Sequence, residues 1–69
     1  MQYSIGDLFV DIRGAQKRTF LITDVFVDGL EPIYYEFHIL PEIKDDVWSE
    51  SEIKRYVDKG HFIHYPVVK

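Results

Sequence analysis

The stretch Thr19 to Val27, TFLITDVFV, decides the fold class of this chain. It is rich in β-branched and aromatic side chains, the composition that fits a pleated, half-buried strand. Yet it breaks strict alternation. Phe20 and Ile22 share a face, Asp24 would follow them inward, and Val25 with Val27 fit the opposite phase. One extra residue near Thr23-Asp24 repairs the pattern, so the stretch predicts a long strand with a β-bulge. A bulge bends its strand, and a bent strand is how a short sheet curls towards a barrel.

Working downstream, Asp28-Gly29 makes a turn, and Pro32, which has no N–H to give a ladder, belongs at the entrance of the next strand. Ile33 to Leu40 (IYYEFHIL) alternates cleanly. Tyr35, Phe37 and Ile39 go inside, while Tyr34, Glu36, His38 and Leu40 face solvent or a partner. Pro41 stops that strand, and residues 41–46 read as a charged loop leading to a short strand at Val47-Trp48. Upstream, Gly6-Asp7 opens a first strand whose inner face is Leu8, Val10 and Ile12, with Phe9 and Asp11 outside. Arg13 to Lys17 is a polar hairpin loop.

After Trp48 comes the one helix. Ser49 as N-cap with Glu52 three residues on is a capping box, and Trp48 stands at staple spacing from Ile53. Acidic Glu50 and Glu52 occupy the first turn, Lys59 the last, and Gly60 is the left-handed stop. Ile53, Tyr56 and Val57 form a stripe that packs on the sheet, because a helix of about two and a half turns does not persist alone. His61 to Tyr65 is the last strand, and Pro66 ends its pairing or holds it at an edge.

Sixty-nine residues allow one domain, residues 1–69, and no second core. A chain this short buries only about 60% of the surface exposed by its unfolded form, so most apolar residues are needed inside. With 46% hydrophobic and 16% aromatic residues it is too apolar to be disordered. It has no cysteine, which excludes a disulfide framework, a zinc ribbon and a thiol nucleophile, and makes a reducing cytoplasmic site the expectation. Neither a signal sequence nor a membrane span is legible. The expected class is mainly β, four to five short antiparallel strands with one short α-helix before the last, the alternative being α+β.

The order and spacing of these pieces, Ile5-Gly6-Asp7-Leu8, the bent TFLITDVFV, the alternating YYEFHI and Trp48-Ser49 before the helix, resemble the small SH3-like barrels that include Tudor, KOW and chromo-barrel modules. The resemblance covers about residues 5 to 65. With the closing GHFIHYPV, the layout is also similar to short bacteriophage proteins of uncharacterised function. A helix longer than the single turn usual in SH3 domains departs from that pattern. A phage origin would imply action in the host cytoplasm.

Net charge is −4, unevenly placed. Between Asp24 and Glu52 nine acids meet one base, Lys44, whereas both flanks are mildly basic. That pattern suggests a non-enzymatic protein-binding module or inhibitor whose acidic face engages a partner with a basic surface. The candidate contact residues are Glu42, Asp45, Asp46, Glu50, Tyr34, Glu36 and His38. Mimicry of nucleic-acid charge is one way in which such a face works.

Other chemistries have less support. His61 and His64 are three apart on a strand and point to opposite faces, and Glu36 with His38 supplies only two ligands, so no metal and no cofactor is expected. Ser49 is already a cap, the acid pairs are solvated, and no Gly-rich phosphate loop exists, so no catalytic residues are assigned. Nucleic-acid binding would use Tyr34, Trp48, Tyr3 and Phe9 as platforms with Arg13, Lys17, Arg18 and Lys54 as a cationic track. The acidic whole-molecule charge argues against it. A Tudor-like cage for a methylated cation would combine Tyr34, Trp48 and Glu36. A final alternative is a homo-oligomer that shields Tyr34, Leu40 and the last-strand edge and sequesters a small molecule between subunits.

Overall fold

In the computed structural model, which describes residues 2–27, 29 and 32–68, the elements run β1 (Leu8–Asp11), β2 (Arg18–Val27), β3 (Ile33–Leu40), β4 (Lys44–Ser49), α1 (Glu50–Asp58) and β5 (Phe62–Tyr65). All strand pairs are antiparallel, in one sheet of order β4-β3-β2-β1-β5. The chain is therefore mainly β, with one short helix before its last strand.

The bulge is where the sequence places it. Ile22 pairs with Phe37 and Asp24 with Glu36, so Thr23 is the extra residue, and its hydroxyl donates to the Glu36 carbonyl and carboxylate. Phe20 and Ile22 before the bulge, and Val25 after it, thereby face the same core. Tyr35, Phe37 and Ile39 are buried as expected. The Asp28 half of the expected Asp28-Gly29 turn lies outside the described residues, while Gly29 takes a left-handed φ of 70°.

Two expectations fail. The first strand has the opposite phase: Phe9 and Asp11 are buried, Leu8 and Val10 are half-covered on the other face, and Ile12 is exposed. Phe9 wins the inner position because the inner face is aromatic. Its ring meets Tyr3, Phe37 and Phe62 and stacks on His64 at 4.7 Å. Asp11 can be buried because the backbone N–H and guanidinium of Arg13 satisfy its carboxylate. Second, pairing in β4 begins at Lys44 instead of Val47, so the second half of the expected loop is strand. Ile43, at φ 54°, makes the tight reversal that sends the chain straight back along β3. An edge strand tolerates, and even favours, the charges that disguised this segment as a loop.

Helix α1 forms as its caps dictate. Glu52 N–H donates to the Ser49 hydroxyl at 3.3 Å and Ser49 N–H to the Glu52 carboxylate at 3.1 Å. Gly60, at φ 77°, follows the C-cap Lys59. Ile53 is fully buried, and Tyr56 and Val57 pack against the core beside Trp48. The helix touches β3, β4 and β5, and so covers one face of the sheet and spans its two edges. The sheet does not close by hydrogen bonds. The arrangement is compatible with a small barrel-like fold.

Candidate partner-binding face

The pairing register fixes what lies on the face of the sheet opposite the helix. One row across all five strands reads Tyr65, Leu8, Leu21, His38, Asp45; beside it lie Ile63, Val10, Thr19 and Leu40. Beyond the bulge come Asp24, Glu36 and Val47, then Phe26, Tyr34 and Ser49. This outer face is thus apolar across β5 and β1 and on to Leu21 and Leu40, while its acids, Asp24, Glu36 and Asp45, lie on β2, β3 and β4.

Of the seven residues singled out from the sequence, the structure brings four together here: Tyr34, Glu36, His38 and Asp45. His38 Nδ1 lies 2.9 Å from Asp45 Oδ1, and the Thr23 hydroxyl donates to the Glu36 carboxylate at 3.2 Å. The other three are dispersed. Glu42, in the β3–β4 turn, pairs with Arg18 at 2.9 Å. Asp46 accepts from the Trp48 indole N–H and from Val47 N–H. Glu50 accepts from the Tyr35 hydroxyl and from Gln2 N–H. Burial and the Glu50 carboxylate together push the Tyr35 hydroxyl up to about 12.

The aromatic-cage and stacking-platform groupings do not assemble. Trp48 is paired with Tyr35 on the core side, whereas Tyr34 and Glu36 face outward. Tyr3 and Phe9 are buried in the core. Arg13 is engaged with Asp11 and lies over the Tyr56 ring, and Arg18 lies over Phe20. His64 does not meet His61: its Nε2 is 2.7 Å from Asp7, whereas His61 lies beside Tyr56. Among the described residues no group of three His, Cys, Asp or Glu side chains is placed to hold a metal ion.

A cleft of about 320 Å³ lies at the start of α1, lined among others by Gln2, Pro32, Ile33, Ser49, Glu50 and Lys54. Its polar groups are largely committed to the cap and to Tyr35. The apolar half of the outer face was missed from the sequence, because Leu8 and Val10 were read as core and Ile63 and Tyr65 join them only through the β1–β5 register. Leu40 and the last strand, expected to be shielded in an oligomer, lie on this same face.

No protein family, no curated protein and no solved structure matches the chain. No helix among the described residues is long and apolar enough to cross a membrane.

Proposed function

We propose that this chain is a non-enzymatic protein-binding module, of the small SH3-like barrel type, that engages a basic surface of a partner protein in the cytoplasm. One observation carries the reading. Asp24, Glu36 and Asp45 share the outer face of the sheet, and none of the strand residues facing the same way is Lys or Arg. A field of one sign selects partners of the other and speeds their encounter. The meander with its last strand returned beside its first, the bent β2 and the helix before β5 support the barrel type. Inhibition by covering a partner's basic surface, as a phage protein would do in its host, is the corresponding mode of action. Nucleic acid fits less well, since phosphate contacts dominate such binding and Arg13 and Arg18 are already paired with Asp11 and Glu42.

The test is affinity capture from the native cell extract, followed by surface plasmon resonance against the captured protein at two salt concentrations. Affinity should fall severalfold as the Debye length shortens from about 10 Å at 0.1 M salt to about 3 Å at 1 M. A salt-insensitive affinity would remove the electrostatic basis of the reading.

A further inference from the structure

We propose that the outer face of the sheet docks a cationic, amphipathic segment of the partner, its apolar side chains on the patch made by Leu8, Leu21, Leu40, Ile63 and Tyr65, and its Lys or Arg side chains on Glu36 and Asp45. The inference rests on the reading of a basic partner above and specifies where and how that partner binds.

Leu40, Ile63 and Tyr65 are 44%, 40% and 52% exposed, and they are continuous through half-covered Leu8, Val10 and Leu21. Helix α1 covers the other face, and no element among the described residues covers this one. Scattered apolar residues need no explanation, but a contiguous patch crossing four strands of so small a domain marks a contact surface.

Size and charge choose the occupant. The row from Tyr65 to Asp45 crosses four strand spacings of about 4.8 Å, about 19 Å in all. That is the length of a helix of about 13 residues, or of roughly six residues of extended chain. A second copy of this chain would bring apolar area but no Lys or Arg to meet the acids, because its own outer-facing strand residues include none. A segment with apolar residues at one end and cations at the other answers both halves of the face.

The test uses the full chain, isotope-labelled for amide NMR, and three synthetic peptides of about 13 residues, each with its apolar positions in one half and its charged positions in the other. One combines Leu and Lys, one replaces Leu by Ser, and one replaces Lys by Glu. The Leu–Lys peptide should shift amides of β1, β2, β3 and β5. The Ser–Lys peptide should bind about tenfold more weakly, the equivalent of about 1.4 kcal/mol, and the Leu–Glu peptide should not bind. Two variants on the outer face, Leu40→Ser with Ile63→Thr and Glu36→Gln with Asp45→Asn, should each weaken the Leu–Lys peptide. Glu42→Gln with Asp58→Asn should not.

If the Leu–Lys peptide binds but only the Glu42 and Asp58 variant weakens it, the docking face is wrong while the basic partner stands. If neither cationic peptide binds, the basic-partner reading falls and takes the docking face with it. Equal binding of the Ser–Lys and Leu–Lys peptides overturns the apolar half. Light scattering that finds a dimer, dissociated by Leu40→Ser with Ile63→Thr, overturns the proposal in favour of a second copy.

Discussion

The Trp48 indole stacks on the Phe62 ring, with centroids 5.6 Å apart and planes 22° from parallel, although β4 and β5 are opposite edges of the sheet. The contact joins the two ends of the meander where no backbone hydrogen bonds do. Tyr56 from α1 extends it, at 5.3 Å from Trp48 and 5.2 Å from Phe62. Closure of this core is therefore a side-chain event. Trp48→Ala should cost about 3–5 kcal/mol, a large part of the stability of so small a domain, while Trp48→Phe should cost less. Urea unfolding measures both. Retention of parental stability by the alanine variant would mean that the aromatic stack does not hold the edges together.

The capping box predicts a smaller, local effect. Ser49 supplies both a hydroxyl acceptor for Glu52 N–H and a backbone donor for the Glu52 carboxylate. Alanine removes the first, together with the hydroxyl's own bond to the Glu52 carboxylate, and keeps the second, so Ser49→Ala should cost about 1 kcal/mol. Ser51→Ala, on the next residue but one, should cost a few tenths, because the exposed Ser51 hydroxyl bonds to the Ser49 hydroxyl and not to a helix N–H. Equal melting points for the two variants would show that the cap contributes nothing.

These two cases also mark what was legible beforehand. The cap and the bulge are local patterns, written within a few neighbouring residues, and each is found where the sequence puts it. The phase of β1 is not local. LFVDI alternates equally well either way, and the choice is made by Tyr3, Phe37, Phe62 and His64, which come from three other parts of the chain. The seven candidate site residues are divided between faces for the same reason. The crowding of Glu42, Asp45, Asp46 and Glu50 in sequence suggested one acidic face, but successive strand residues point to opposite sides. Asp45 therefore goes outward while Asp46 turns to Trp48, and the helix carries Glu50 round to Tyr35. Replacing Asp45, Asp46 and Glu50 together by Lys would then disturb the core as well as the face.

Acid should destabilise the protein through Asp7. Burial raises the affinity of its carboxyl for a proton, but donors from Val67 N–H at 2.9 Å, His64 at 2.7 Å and Ser4 N–H at 3.2 Å outweigh it and hold the group below the usual aspartate range. Asp11, held by Arg13, is lowered as well. A carboxyl that is more acidic in the folded state stabilises the fold above its unfolded value of about 4, and this contribution is lost as pH falls through the folded value. Asp7 also anchors the segment after β5, where Val67 meets Gly6 so closely that a Cβ there would lie 3.0 Å from Val67 Cγ2. Asp7→Asn should lower stability by about 1–3 kcal/mol at pH 7 and flatten the decline below pH 4. Parallel acid melts of variant and parent would show that other carboxylates govern the transition.

Alkali should act through Tyr35. Its ring is fully buried, and its hydroxyl donates to Glu50 and accepts from Tyr3 N–H at 3.3 Å. Burial comes first and the neighbouring carboxylate second in raising it to about 12. Tyr3, edge-on to the same ring, is raised too, chiefly by its own burial. A group whose folded value exceeds its unfolded value of about 10 stabilises the fold fully below pH 10. That contribution is lost as pH rises towards 12, because the unfolded chain releases the proton first. The parent should therefore unfold cooperatively between about pH 10 and 12, with Tyr3 and Tyr35 ionising in that same transition. Tyr35→Phe should cost about 1–3 kcal/mol at neutral pH, since Glu50 and Tyr3 N–H each lose a partner, and should make the alkaline decline shallower. Tyrosinate absorbance and circular dichroism, followed together, decide it. Ionisation of every tyrosine near pH 10 with the fold intact would place Tyr35 in solvent and detach Glu50 from the core.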